Sequence, residues 1–368
     1  MPPSARDLTL GDLREHAALL DQGMQPYNPF GNSVWLLHFG SQVVDGVALE
    51  GVVVTTAGAD GRALMPLSRD PAKPWMLRGL CNYYSSLHSL LYTRSADRAG
   101  AAAALARQLR LDHPSCDVLQ LSPLSAEDND TALVEQALAA SGWYTKRYFA
   151  FGNWFMPCEG LAFDTYMKAR DSQVYNTWSR KAKKFRSDGT GEARLQVVMQ
   201  PAEVDAAMDA YEAVYAKSWK QPEPYPDFVR GWARACAEQG WLRLGIAWVG
   251  DVPIAAQFWF TIERRAYIFK LAYDEAFNKW SAGTVLTAHL MRQALDQDRV
   301  VEVDYLTGDD PYKKSWMSQR RERIGLLACN LRSMRGIVMA AREVAATRLR
   351  GVKARVESLA APREKAAT

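Results

Sequence analysis

The sequence predicts an α+β protein of two halves in series, each a mixed, mostly antiparallel sheet flanked by helices. Three observations carry that expectation. The chain has 368 residues and 48% hydrophobic content, room for two buried cores of ordinary size. Residues 241–249 (WLRLGIAWV), 252–262 (VPIAAQFWFTI) and 266–274 (AYIFKLAYD) are apolar runs joined by Gly250-Asp251 and by the tight Glu263 to Arg265 link, the pattern of an antiparallel meander. Each half then follows its strands with a helix and a further strand, an order that a degenerate duplication would leave behind even where no sequence repeat can be quoted, and that chance would also produce, because mixed α+β domains often show it.

Taken in order, "MPPSARDLTLGDLREHAALL" reads as a capped surface helix. Residues 33–39 (SVWLLHF), 49–56 (LEGVVVTT), 63–68 (ALMPLS) and 83–93 (YYSSLHSLLYT) are rich in β-branched or aromatic residues between turn residues and are expected as strands. "SADRAGAAAALARQLR" is a helix with a serine cap, DVLQLS (117–122) a strand, and TALVEQALAASG a helix closed by Gly142. The aromatic run WYTKRYFAFGNWFM completes a first domain, residues 1–158. A second, 159–330, opens with a helix from about Phe163 to Phe185. It continues with a strand (ARLQVVM), helices near 202–219 and 226–238, the meander, and a helix from about Thr284 to Leu295. A strand at 300–306, a short helical PYKKSWMS and a strand RIGLLACNL close it, and residues 331–368 form a basic amphipathic helix and tail.

Composition narrows the function classes. The five cysteines are scattered, odd in number and never in a C-x-x-C pair, which fits neither a disulfide framework nor a zinc site and places the expected home in a reducing cytoplasm. The five histidines are equally dispersed, so no metal is expected. No charged leader precedes an apolar stretch, and no run approaches 18 apolar residues. The formal charge of +4 is uneven: from Leu331 onward nine Lys and Arg face three Glu. The bulk of the chain is near neutral and carries no recognised DNA or RNA module, so no nucleic-acid partner is expected.

The strongest chemical signal follows the meander. Ser281-Ala282-Gly283-Thr284 sets small residues at a helix start, where unpaired N–H groups and the helix dipole favour a phosphate. For an isolated S-x-G, a plain serine cap is the alternative. Around this turn, FKLAYDEAFNKWSAGTVLTAHLMRQAL and VDYLTGDDPYKKSW resemble the GNAT-type acetyltransferase family associated with cellulose and exopolysaccharide biosynthesis (CelD/BcsL-like). That family carries a K-x-x-Y-D-like strand end, an S-P-G-like turn and a D-[FY]-x-x-G-x-x-x-Y-K-x-x-W block. Lys270, Tyr273, Asp274, Ser281, Gly283, Asp304, Tyr305, Gly308, Tyr312, Lys313 and Trp316 match position by position. Ala282 replaces the usual proline, which loosens the turn without removing an amide donor. Upstream, FDTYMKARDSQVYNTWSRKAKKF is similar to the family's basic helix, so the likeness spans roughly residues 163–330. The paired arrangement also resembles the Fem-type peptidyltransferases, whose halves are each GNAT-like.

The resemblance implies two tandem GNAT-like (acyl-CoA N-acyltransferase) domains, the first degenerate, with acetyl-CoA or another acyl-CoA as donor. Its pyrophosphate would lie on Ser281, Ala282, Gly283 and Thr284, and a backbone N–H near Ala272 or Tyr273 would hold the oxyanion. Tyr312 takes the place of the general acid that protonates the leaving thiolate; packing on Trp316 at i, i+4 spacing is its structural alternative. Asp304 closes a mostly apolar strand, so a raised pKa would suit it as the base, with Lys313 as an alternative ion-pair partner and Asp274 as a second candidate base. Lys270, Asp274, Asp304 and Lys313 sit at the ends of neighbouring strands and would face one cleft, which with Trp316 of the same motif would bind a polar acceptor. In WSRKAKKFRSDG, Arg180 and Lys181 offer either a solvated face or a clamp for the diphosphate of a nucleotide sugar.

The function expected is acyl transfer from acyl-CoA to an amine or hydroxyl of a sugar precursor or polysaccharide in cell-surface glycan synthesis. The alternatives are Fem-like transfer from aminoacyl-tRNA to cell-wall precursors, ranked lower because the long coiled helical arm of that group is not evident, and a non-catalytic GNAT-like regulator. In the last helix Leu331, Met334, Val338, Ala341, Ala345, Leu349, Val352, Val356 and Leu359 recur at three-four spacing among arginines. Such a stripe either packs on its own domain or lies on anionic lipid or a partner helix, so peripheral contact with the inner membrane accompanies the cytoplasmic expectation.

Overall fold

The computed structural model describes residues 10–15, 17, 21, 28–43, 48–55, 62–93, 97–187 and 193–360. The first half contains α1 (Leu10–Glu15), α2 (Ser33–Gln42), β1 (Ala48–Thr55), β2 (Arg62–Arg69), β3 (Met76–Gly79), β4 (Leu91–Tyr92), α3 (Arg98–Asp112), β5 (Val118–Ser125), α4 (Asn129–Ala140) and β6 (Trp143–Pro157). The second contains α5 (Phe163–Lys168), α6 (Ser172–Ser187), β7 (Ala193–Val198), α7 (Val204–Ala216), α8 (Pro226–Glu238), β8 (Leu242–Val249), β9 (Val252–Ile262), β10 (Arg265–Tyr273), α9 (Ala282–Arg292), β11 (Glu302–Asp304), α10 (Pro311–Trp316), β12 (Gln319–Asn330) and α11 (Met334–Ala360).

All strands among the described residues join one mixed sheet in the order β1-β2-β3-β5-β12-β6-β11-β10-β9-β8-β7, with β4 on β2. The halves repeat one plan. In each, a largely antiparallel set ends in a strand that runs parallel to the strand after the next helix: β3 beside β5 across α3, and β10 beside β11 across α9. Each half then sends its final strand into the other. β6 pairs with β11, β12 pairs with β5, and β6 and β12 lie antiparallel to one another from Trp143↔Asn330 to Phe155↔Gln319. This exchange welds the halves through backbone hydrogen bonds, which a surface contact between separate domains would not supply.

Several elements differ from the sequence reading. Residues 33–39 form the helix α2, because Asn32 caps it by accepting from Trp35 N–H (2.8 Å) and because the buried Trp35, Leu36 and Phe39 follow helical spacing. Trp35 packs edge-on against Phe228 and Trp232 of α8, so a first-half helix completes a second-half core. Residues 83–93 are strand only at Leu91–Tyr92; the preceding stretch is a buried loop, and β3 was not anticipated. The cap of α3 is Asp97, not a serine. The helix expected over 163–185 is two, and the break lets the Arg170 guanidinium reach the Trp316 carbonyl (2.8 Å). At the start of the chain, residues 1–9, 16 and 18–20 of the expected helix lie outside the described residues, and Leu13 is buried instead of surface-exposed.

The final helix does not use its apolar stripe to pack on its own domain, the first of the two expected placements. It docks on β12 through Gly336 and Ala340, where a Cβ on Gly336 would stand 2.1 Å from the Asn330 carbonyl oxygen. Glycine therefore permits a close approach that any other residue would block. Lys146 of β6 fastens the next turns by reaching Glu343 (2.8 Å) and Thr347 (2.6 Å). The stripe residues Leu331, Met334, Val338, Ala341, Ala345 and Leu349 consequently face outward, with Met334 77% and Leu349 70% exposed; the side chains of Val352, Val356 and Leu359 lie outside the described residues.

Candidate active site

The second half opens where β10 and β11 part. They pair in parallel at Arg265↔Glu302, Ala266↔Val303 and Tyr267↔Asp304, while β10 runs on to Tyr273. A register shift against β9 between Ile268 and Lys270 marks a bulge at Phe269, which bends β10 and widens the divergence. Asp274 N–H donates to the Ile254 carbonyl (2.9 Å). By alternation the Ala272 N–H also faces β9, and the Leu271 and Tyr273 N–H groups face the opening. Ala272 is thus corrected as an oxyanion donor; Tyr273 keeps the expected position, and Leu271 joins it.

Helix α9 begins beside this opening. Ser281 is left-handed (φ 49°) and its hydroxyl makes no capping bond, so the plain serine cap does not occur. The first helical bond runs from Val285 N–H to the Ser281 carbonyl (3.1 Å). Among the described residues, no protein group accepts from the N–H of Ala282, Gly283 or Thr284. Gln257 Nε2 (3.1 Å) and Thr287 Oγ1 (2.9 Å) donate to the Gly283 carbonyl and hold this turn in place. A Cβ on Gly283 would stand 3.4 Å from Tyr273 Cδ1, so the turn packs against the end of β10. Lys181 of α6 donates to the Lys279 carbonyl (2.5 Å) and brings a cation to the same place.

The equivalent opening in the first half is closed. Asp97 caps α3, its carboxylate accepting from Ala99 and Gly100 N–H at 3.2 Å each, and an anion already at the helix start excludes a phosphate. The loop between β3 and β4 fills the gap beside β5: His88 N–H donates to the Pro123 carbonyl (2.6 Å), and about 20 Å³ of cavity remains there. Two equivalent helix starts therefore differ in kind, one capped by carboxylate and one with open amides.

Between the diverging β10 and β11 lies a cavity of about 220 Å³, lined by Lys270, Tyr305, Tyr312 and Lys313, and by Lys220 and Tyr84, which the sequence reading missed. Lys270 Nζ meets Glu223 Oε1 at 2.5 Å, and Tyr84 donates to the other oxygen of Glu223 (2.8 Å). Burial would raise the Glu223 pKa, but Lys270 and the tyrosine hydroxyls outweigh it and hold the carboxyl below its usual range. Burial lowers the Lys270 and Lys313 pKa values against the opposing pull of Glu223 and Asp310. Burial also raises the Tyr312 pKa, aided by the charge of Asp310, and the Tyr312 ring rests edge-on against Tyr305 (5.7 Å) and is 46% exposed. It does not pack on Trp316 as the alternative required. Glu223 and Lys220 come from a proline-rich loop after α7, and Tyr84 from the first half; no motif marks any of them.

Other expected site residues are placed elsewhere. Asp304 is buried, and its raised pKa is overturned. Burial alone would raise it, but Arg321, Arg323, Asn153 Nδ2 (2.6 Å) and the Leu306 N–H (2.6 Å) stabilise the carboxylate and leave its pKa below the usual range. Its ion-pair partner is Arg321, not Lys313. Asp274 is a buried cap that accepts from Ala276 N–H (2.9 Å). Trp316 is a core residue whose carbonyl takes bonds from Tyr166 and Arg170. Arg180 is exposed, with its guanidinium on the Asn176 carbonyl of its own helix (3.3 Å); neither it nor Lys181 lines the cavity. Among the described residues no group of three His, Cys, Asp or Glu is arranged to hold a metal.

Residues 172–314 match the family described as an acetyltransferase (GNAT) domain. Among solved structures, FemX aligns with a TM-score of 0.61 at 10% identity, covering 87% of this chain and 96% of FemX. A conserved protein of unknown function from Bacteroides thetaiotaomicron gives 0.56 at 12% identity, covering 88% and 98%. A domain described as the C-terminal part of a lysylphosphatidylglycerol synthetase from Agrobacterium fabrum gives 0.53 at 9%, covering 92% and 97%. At these identities the likeness is one of fold, and it extends over both halves. No curated protein matches the chain by sequence.

Proposed function

We propose that this chain, which carries a GNAT-type acetyltransferase domain at residues 172–314, transfers an acyl group from acyl-CoA to an amine or hydroxyl of a sugar or nucleotide-sugar acceptor. The observation that carries the reading is the unfilled start of α9 beside the divergence of β10 and β11, set against its carboxylate-capped counterpart at α3. Main-chain N–H groups at Ala282, Gly283 and Thr284 bind the donor diphosphate, and Lys181 adds its charge. The thioester lies in the opening, its carbonyl oxygen taking bonds from Leu271 and Tyr273 N–H as the acceptor attacks. Tyr312, which keeps its proton at neutral pH, protonates the departing thiolate, and the proton released by the acceptor's nitrogen or oxygen restores the Tyr312 hydroxyl, leaving the acylated acceptor and the free thiol of coenzyme A. The sugar acceptor rests on the motif resemblance alone. Binding of acetyl-CoA by the wild type, measured by titration calorimetry, tests the donor. A protein that binds aminoacyl-tRNA and not acetyl-CoA would favour the Fem-like alternative.

Tyr312→Phe is expected to lower kcat on the order of a hundredfold with little change in acetyl-CoA affinity, read as thiol release. An unchanged kcat would remove Tyr312 from the acid role.

We further propose peripheral attachment at an anionic membrane surface through α11. No helix among the described residues is long and apolar enough to cross a membrane. The exposed stripe of α11 is bordered by Arg342, Arg348 and Arg350, a complement to anionic lipid and a deterrent to self-association of like helices. Each basic residue near such a surface contributes about 1 kcal/mol. The protein is expected to sediment with vesicles containing phosphatidylglycerol and not with pure phosphatidylcholine, and Met334→Glu/Leu349→Glu is expected to abolish the difference. Equal sedimentation with both vesicle types would count against it.

A further inference from the structure

The charges around the β10–β11 cavity do not balance, and the imbalance has one address. Lys270 is matched by Glu223 (2.5 Å) and Lys313 by Asp310 (3.3 Å) and the Thr307 carbonyl (2.5 Å). Lys220 also lines the cavity, yet among the described residues no carboxylate lies within ion-pair distance of its ammonium; its neighbours are the rings of Tyr215 and Trp219, each 5.8 Å away. Two further cations face it, on β10 and α10, together with the carboxylates of Glu223 and Asp310. Tyr83 and Tyr84 close the first-half side, and Tyr305 and Tyr312 the β11 and α10 side. A partly buried ammonium without a counter-ion is costly. The acyl-transfer step itself supplies no lasting anion at this end, because the donor diphosphate is assigned to the start of α9.

We propose that the cavity takes an acceptor bearing its own anionic group, a carboxylate or a phosphate, and that Lys220 is the residue that binds it. This rests on the acyl-transfer reading of the same cavity and specifies the acceptor class. The anion displaces no existing ion pair, which leaves Lys270 and Lys313 bound to their carboxylates and directs specificity to one side chain. Burial, with the repulsion of Lys270, brings the Lys220 pKa down to about 8, so the ammonium is present at neutral pH and is lost as pH rises through that value. Anion binding should fade over the same interval.

Calorimetric titration with coenzyme A present separates the possibilities, using glucosamine 6-phosphate, muramic acid and neutral N-acetylglucosamine as probes. The wild type at pH 7 is expected to bind at least one anionic probe about tenfold more tightly than the neutral one. Lys220→Met should remove that preference, Lys220→Arg should keep it, and raising the pH from 7 to about 9 should weaken it in the wild type but not in the arginine variant, whose charge persists. Preference for phosphate alone or carboxylate alone identifies the anion. Equal binding of all three probes, binding of none, or an undiminished preference in Lys220→Met would overturn the proposal. A separate titration records the binding of coenzyme A to the wild type: its absence strikes the donor reading, whereas its presence with no anion preference strikes this inference alone.

Discussion

Gly283→Glu is expected to abolish the thermal stabilisation of this protein by acetyl-CoA while leaving the unliganded protein folded. The substitution places a carboxylate at the start of α9, the condition that Asp97 already creates at α3. A negative charge at a helix start is compatible with the helix and incompatible with a second anion in the same place. In the wild type, ligand at a hundred times its Kd adds about 2.7 kcal/mol to stability, and the variant should show none of this. Gly283→Ala is the control, since its Cβ would make an ordinary contact 3.4 Å from Tyr273 Cδ1, and glycine within a helix is roughly 0.5–1 kcal/mol less stable than alanine. The alanine variant should match or exceed the wild type in unliganded Tm and still respond to ligand. A glutamate variant stabilised as strongly as the wild type would place the diphosphate elsewhere and remove the main support for the acyl-CoA reading.

Asp304→Ala is expected to cost roughly 3–5 kcal/mol of folding stability, the range for breaking a buried ion pair from one side. Asp304 lies beneath the divergence of β10 and β11, and its carboxylate joins β11 to Arg321 of β12 and to Asn153 of β6. Glu302 shares Arg321 (3.0 Å) and also meets Arg265 (2.8 Å), so one network clamps the exchanged strands of both halves. Removing Asp304 leaves Arg321 short of a partner and takes from Arg323, whose pKa burial has already pushed down to about 10, the largest of the negative charges that act on it. The Asp304 pKa is depressed in the folded protein, so the stability it contributes is complete above the unfolded carboxyl value of about 3.9 and is lost as pH falls through the lower folded value. Urea unfolding followed by tryptophan fluorescence at neutral pH measures the loss, and the same titration in acid should show the wild type and Asp304→Asn converging. A loss under about 1 kcal/mol, typical of an exposed pair, would show that Asp304 does not hold the strands together.

Local patterns were the legible part of the chain. The β8–β9–β10 meander, the turn at Ser281 to Thr284 and the helix after it follow from residues close in sequence, where alternation, glycine and helical spacing act over a few positions. Residues 33–39 misled because Trp35, Leu36 and Phe39 have strand-forming composition, whereas their burial against α8, almost 200 residues away, selects a helix. Lys220, Glu223 and Tyr84 could not be seen for a related reason. Their function arises from a cavity assembled by a loop after α7, a strand of the meander and a segment of the other half.

The sequence by itself determined an α+β chain in two halves, a meander followed by a small-residue helix start, and a cluster of lysines and tyrosines near it, because each depends on short-range periodicity or on residue type. Tertiary structure alone decided which helix start stays open, that β6 and β12 change places, that Asp304 braces the sheet, and that the apolar stripe of α11 points outward. Those outcomes turn on burial and on charges brought together from distant positions, and pairwise contact over such separations leaves no periodic mark along the chain.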